Sequence, residues 1–224
     1  MSGIRPTGFL HLGNYFGAMR NYVKMQETHT CFFMVADLHS LTTHPDTTEL
    51  KKNVQRVIAE NIACGLNPEK VALYCQSHLY ETSELYLYLN MLAYKGELEK
   101  TATFKDKARL HPQNINVGLL SYPVLMATDS LIHRASYGPV GEDQEQHLEM
   151  ARTFANRFNH RYGEVFPEPV AFNFGEELVK VPSLDGTGKM SKSENQLATL
   201  YLADSDEMIR KKVMKATTDA GPAA

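Results

Sequence analysis

The run Cys31-Phe-Phe-Met-Val-Ala-Asp37 carries no polar side chain at alternate positions. A strand with one wet face alternates apolar and polar residues. A continuous apolar run of this length suits a strand covered on both faces, as in a parallel sheet flanked by helices. Val71 to Gln76 is a second such run, and Ser2 to Ile4 and Leu178 to Val181 read as shorter strands. Between them the apolar spacing becomes helical. Gly13 to about Glu27 places Tyr15, Phe16, Met19 and Tyr22–Val23 on one face. Thr47 to Cys64 reads as a helix with Asp46 as its N-cap, Glu49 completing a capping box and Gly65 just past its end. Glu84–Tyr94, Glu97–Lys107, Leu119–His133 and Glu142–Arg161 are further helical stretches, and Asp204 with Glu207 opens a last one through about Lys215. The polar connection from Arg109 to Gly118 is expected to be mobile. This rhythm predicts an α/β fold, a doubly wound parallel sheet whose ligand lies at the carboxyl ends of the strands.

Composition narrows the class further. The 224 residues suffice for one full domain and a small second one. Apolar residues make up 43 % and charged residues 22 %, enough for a packed core. A net charge of −3 excludes a globally basic nucleic-acid binder, so any RNA contact must be a local patch. Three cysteines, Cys31, Cys64 and Cys75, with no C-x-x-C spacing, predict reduced thiols and a cytoplasmic setting. No stretch approaches the ~20 apolar residues of a membrane span, and the N-terminus lacks a signal-peptide pattern. The histidines show no metal-ligand spacing, so no metal site is expected.

Four segments carry chemistry. The first, Ser2-Gly-Ile-Arg-Pro-Thr-Gly-Phe-Leu-His-Leu-Gly-Asn14, has Gly3 and Gly8 where a ligand can approach backbone. His11 and Asn14 stand at a helix start, where neutral donors can follow charge developing on a phosphate. The second, Asp185-Gly-Thr-Gly-Lys-Met-Ser-Lys-Ser193, offers Lys189, Lys192, Ser191 and Ser193 to phosphate oxygens. It is not a Walker A loop, because Met190 follows Gly188-Lys189. The third, Gly141-Glu-Asp-Gln144, sets a carboxylate where ribose hydroxyls bind and an amide where a ligand amine binds. In the fourth, helical spacing aligns Tyr122, Met126 and Asp129, a set suited to a flat apolar ligand with one N–H donor. Taken singly, each has a plainer reading: a Gly/Pro loop with an N-cap, a solvated basic loop, a good helix start, a core stripe.

Together the segments SGIRPTG, HLGN, VADLHSLT, GELEKTATFKDK, MATD, VGEDQEQHLE and KMSKS, in that order, resemble the bacterial-type tryptophanyl-tRNA synthetases, a family of class I aminoacyl-tRNA synthetases. The resemblance runs from Ser2 to about Asp219. It implies a Rossmann-type catalytic domain over residues 1–193 and the beginning of a helical, anticodon-reading domain over residues 194–224. The family continues beyond Gly221-Pro-Ala-Ala, so a catalytic fragment is expected, and with only Met1 before Ser2 the first strand is expected to be clipped.

The implied reaction joins L-tryptophan to ATP, releases pyrophosphate and passes tryptophan to tRNA(Trp), with Mg²⁺ accompanying ATP and the enzyme a homodimer. The resemblance implies that Lys189, Lys192, Lys107 and His11 serve the phosphates. It implies ATP contacts at Arg5, Gly13, Asn14, Gly141, Asp143, Ser191 and Ser193, and a tryptophan pocket of Asp129, Met126, Tyr122, Gln144, His39 and Gly3. Arg5 stands where many members have Gln. Tyrosine activation, a free-standing nucleotidyltransferase and a catalytically incomplete Trp/ATP binder are the alternatives.

Overall fold

The computed structural model describes residues 1–43, 45–110, 112–139, 145–172, 181–191 and 195–218. Strands β1 (Ser2–Ile4), β2 (Phe32–Val35) and β3 (Ala72–Cys75) form a parallel sheet in the order β1-β2-β3. Ser2 pairs with Phe33 and Ile4 with Val35; Phe32 pairs with Ala72 and Val35 with Cys75. A second parallel pair joins β4 (Tyr137–Pro139) to β5 (Val170–Phe172). The Met1 nitrogen, just before β1, donates to the Tyr137 carbonyl of β4 at 3.0 Å, so the two sheets approach each other there. In such α/β folds ligands bind outside the carboxyl ends of the strands.

Both faces of β2 are covered, as its apolar run requires. Phe33 packs with Tyr22, Met25 and Leu66, and Val35 with Leu10, Met19 and Val57. These residues lie on or near the helical segment of α1 (Leu12–Asn14), a π turn (Tyr15–Met19) and α2 (Arg20–Met25), and on α4 (Leu50–Ala63). On the opposite face Phe32 stacks on His133, 4.3 Å between rings. His133 follows α9 (Tyr122–Ile132), which packs with α5 (Glu81–Leu92) and α10 (Glu145–Tyr162) around Leu89, Val124, Leu131 and Phe154. Among the described residues no helix is long and apolar enough to cross a membrane.

Several boundaries differ from expectation, each for a local reason. Asp46 is not the N-cap of α4. It accepts from the backbone and hydroxyl of Thr48, at 2.9 and 2.6 Å, and the helix starts at Leu50. Short polar side chains satisfy nearby donors in a turn as readily as at a cap. The stretch expected as one helix from Glu97 divides into α6 (Lys95–Leu98) and α7 (Ala102–Leu110). Between them the Thr101 hydroxyl donates to the Leu98 carbonyl, and Ala102 N–H is accepted by Gln146 from α10. The next stretch also divides, α8 (Val117–Leu120) preceding α9, with Pro123 in the first turn of α9, where its missing N–H costs nothing.

The link before α8 is tied down. Asn114 donates to the Thr43 carbonyl, and Asn116 donates to that of Thr42 while capping Leu119 N–H. The last helix, α11 (Asp206–Met214), is capped by Ser205, not Asp204. Most of the strand expected at Leu178–Val181 lies outside the described residues, and Val181 joins no strand. A short helix α3 (Asp37–Leu41), placed directly after β2, was not foreseen.

Candidate active site

The carboxyl end of β1, α3 and α9 border one cavity of about 670 Å³. Its wall holds Gly3, Arg5, His11, Gly13 and Asn14 from the β1 end, His39 from α3, Tyr122, Met126 and Asp129 from α9, and Lys189 and Ser191. At least 25 positions separate one of these groups from the next in the chain, yet the fold brings them to one place. Gly141, Asp143, Gln144, Lys192 and Ser193 lie outside the described residues.

At the helix start the two signature side chains cap each other. His11 N–H donates to Asn14 Oδ1 at 3.0 Å, and Asn14 N–H donates to His11 Nδ1 at 3.3 Å. Because Nδ1 accepts, the neutral ring carries its proton on Nε2. The donors these side chains can offer a ligand are therefore Nε2–H of His11 and the amide of Asn14. Gly13 is dictated by sterics: a Cβ there would stand 2.9 Å from His11 Nδ1 and 3.4 Å from the Met190 carbonyl. Gly3 reads differently from expectation. A Cβ at Gly3 would meet Met34 Cγ at 2.6 Å, so its bareness lets β1 lie close to β2, although Gly3 also borders the cavity.

Asp129 is buried and its carboxylate is held at both oxygens. His39 Nε2 lies 2.6 Å from Oδ2, and the Gln76 amide donates to Oδ1 at 2.7 Å. Gln76 itself cannot flip, because its Oε1 accepts the backbone N–H of His39 at 3.3 Å. Gln76, fully buried in the turn after β3, was not singled out from sequence. Its only signal is its place at the end of a buried strand. The buried His39 Nδ1 has no hydrogen-bond partner among the described residues. Buried polar atoms are rarely left so. His39 also meets the Tyr122 ring edge-on at 4.7 Å. Burial, with Asp129 nearby, pushes the Tyr122 hydroxyl up in pKa, against a smaller lowering by Arg5, so it stays protonated.

His147 is buried and borders the cavity, with its Nε2 2.9 Å from the Thr103 hydroxyl. Sequence reasoning gave it no role in the site; its place three positions after Gln144 in the sequence was the available signal. Lys107 reaches the site through Tyr122, its Nζ 5.0 Å from the ring centre. Burial, then repulsion from Arg5, lowers its pKa. Arg5, Lys107 and Lys189 thus give one side of the site a positive field that no carboxylate among the described residues neutralises by an ion pair.

This geometry has known counterparts. Residues 1–222 match the family described as tRNA synthetases class I (W and Y). A tryptophan–tRNA ligase of Porphyromonas gingivalis is 60% identical over 99% of this chain and 68% of its own length. The chain belongs to the class I tRNA synthetases, in their tryptophanyl branch.

A second such ligase, from Caldanaerobacter subterraneus, is 45% identical over 98% of this chain and 67% of its own. Among solved structures, the tryptophanyl-tRNA synthetase of Campylobacter jejuni complexed with ADP and tryptophan superposes with a TM-score of 0.88 at 37% identity. It covers 99% of this chain and 68% of that one. The chain thus spans about two thirds of the length of these synthetases, including both segments that mark class I, His11–Asn14 and the loop around Lys189.

Proposed function

We propose that this chain activates L-tryptophan with ATP, forming tryptophanyl-adenylate and pyrophosphate, and hands the tryptophan to tRNA(Trp). One observation carries the reading. A buried carboxylate, oriented by Gln76 and His39, shares a single cavity with the class I signature residues His11 and Asn14 and with Lys189.

In the activation step the tryptophan carboxylate oxygen forms a bond to the α-phosphorus, and the bond from that phosphorus to the bridging oxygen of pyrophosphate breaks. No protein nucleophile is needed, so the site's work is orientation and charge stabilisation. Asp129 accepts the indole N–H; Met126 and His39 line the ring's slot, and Tyr122 stands near the amine. Gln144 is assigned to the amine and Gly141 and Asp143 to the ribose, on the family resemblance. His11, Asn14, Lys107, Lys189 and Lys192 face the phosphates, with Arg5, Gly13, Ser191 and Ser193 beside them. Mg²⁺ enters with ATP as part of that substrate.

We further propose a homodimer. The face of α5 bearing Leu87, Tyr88 and Met91, at helical spacing, is 55 %, 48 % and 70 % exposed. An apolar stripe of that size on one helix marks an interaction surface.

The test is pyrophosphate exchange driven by each of the twenty amino acids. Exchange with tryptophan alone is expected. Exchange with tyrosine would move the assignment to the neighbouring specificity, and exchange with neither would overturn it.

A further inference from the structure

The last helix is built inside out. Met208, Ile209, Val213 and Met214 of α11 are 37–81 % exposed, while Lys212 is 3 % exposed. Its ammonium donates to Asp204 Oδ2 at 2.6 Å and to the Thr199 carbonyl at 2.9 Å, and the Tyr201 ring centre lies 4.6 Å away. A buried ion pair is weak evidence for stability, since apolar replacements often do as well. What Lys212 holds is therefore the more telling fact.

It holds a turn that grips both class I segments. Asp204 also accepts the Tyr201 N–H at 2.8 Å, closing the turn. Leu12 N–H donates to the Leu200 carbonyl, and Leu202 N–H to the Leu10 carbonyl, each at 2.9 Å. His11 and Tyr201 face each other across that antiparallel bridge. On the other side, the Thr199 hydroxyl donates to the Ser191 carbonyl at 2.7 Å, two residues from Lys189. One lysine thus fixes the short segment against which both the His11 turn and the Lys189 loop are registered.

We propose that Lys212 is a positioning residue for activation: through residues 199–204 it sets the placement of the His11 turn relative to the Lys189 loop. The proposal rests on the reading of those two segments as the ATP-facing machinery. Lys212 touches neither substrate, so its loss should act on the chemical step and spare tryptophan binding.

The test compares three proteins: Lys212→Met; Lys212→Met with Asp204→Asn, which leaves no charge buried alone; and Arg157→Met, which breaks the remote Arg157–Glu97 pair. Two readouts are taken, tryptophan-dependent pyrophosphate exchange and hydrogen exchange at the Leu12 and Leu202 amides. In both Lys212 variants those amides should lose protection, and kcat should fall 10- to 100-fold with the KM for tryptophan within twofold. Arg157→Met should change neither readout. Adding His11→Ala to the double variant should cost far less than the product of the separate losses, because Lys212 acts through His11. Unchanged amide protection overturns the proposal. So does lost protection with an unchanged kcat, or a multiplicative loss with His11→Ala. If the unmodified protein shows no exchange with tryptophan, it is the reaction assigned above that fails, and amide protection still decides whether Lys212 holds the two segments.

Discussion

At the residue scale, selectivity rests on how Asp129 is held. Its two oxygens already have one donor each, so the carboxylate is oriented before substrate arrives, with lone pairs left for an indole N–H. Sites that hydrogen-bond a substrate donor reject analogues lacking it by factors of about 10⁴–10⁵. Gln76→Met removes one charged hydrogen bond, a loss of about 1.5–3 kcal/mol. It should raise the tryptophan KM about tenfold and shrink the preference over the benzothiophene analogue, which has no N–H. Steady-state exchange with both amino acids checks this, and an unchanged ratio would assign Gln76 to stability alone. Lys107 supplies a pH prediction. Burial and Arg5 lower its folded pKa below the ordinary lysine value, so the unfolded chain binds more protons between the two values. Stability from this group therefore rises with pH through that window. Activity should show an alkaline limb as Lys107 loses its proton, and Arg5→Gln should move that limb to higher pH in a pH–rate profile.

At the element scale, two turns present the chemistry. The His11 turn depends on a bare Gly13, and Gly13→Ala must push the His11 imidazole aside. Overpacking of this kind costs about 1–3 kcal/mol. Thermal unfolding should show that loss, together with a slowed activation step. The Lys189 loop is braced by Asp185, which accepts from the Thr187 and Ser183 hydroxyls and from the Thr187 backbone. These bonds, the Thr187 hydroxyl foremost, lower its pKa to about 2. Since the folded value lies below the ordinary carboxylate range, its contribution is present above that range and is lost as pH falls towards about 2. Asp185→Ala should raise hydrogen exchange at the Thr187 amide near neutral pH and lower kcat more than it changes the tryptophan KM.

At the scale of the whole molecule, the parallel sheet and the helical layer packed on it decide where these turns meet. The helical layer of α5, α9 and α10 then carries two faces: α9 gives Tyr122, Met126 and Asp129 to the cavity, and α5 turns Leu87, Tyr88 and Met91 outward. If that stripe is where two copies meet, a charge within it will part them. Met91→Glu should shift sedimentation from dimer to monomer at micromolar concentration while the fold, followed by circular dichroism, stays intact. A monomer before mutation would remove the dimer from the proposal.

The first three strands, most of the helices and the signature segments were legible in the sequence because each is written in neighbouring residues; β4 and β5, three residues each, were not. The buried run at Cys31–Asp37 announces a two-sided strand, and the spacing of Tyr122, Met126 and Asp129 announces one helical face. Helix starts were less legible, since Asp46 and Asp204 satisfy local donors equally well in a turn, in a cap or in an ion pair. Gln76 and His147 were legible only as neighbours of a strand end and of Gln144, and Lys212 was not legible at all. Their roles come from partners far along the chain: Asp129 lies 53 residues from Gln76 and Thr103 lies 44 from His147. Lys212 is only 8 residues from Asp204, but the turn they close matters because it grips Leu10 and Leu12, almost two hundred positions earlier. The sequence by itself determined the fold class and the family of chemistry, because periodicity and short motifs are local. Tertiary structure alone decided which polar side chains were buried together, because a buried donor must find its acceptor wherever packing brings one.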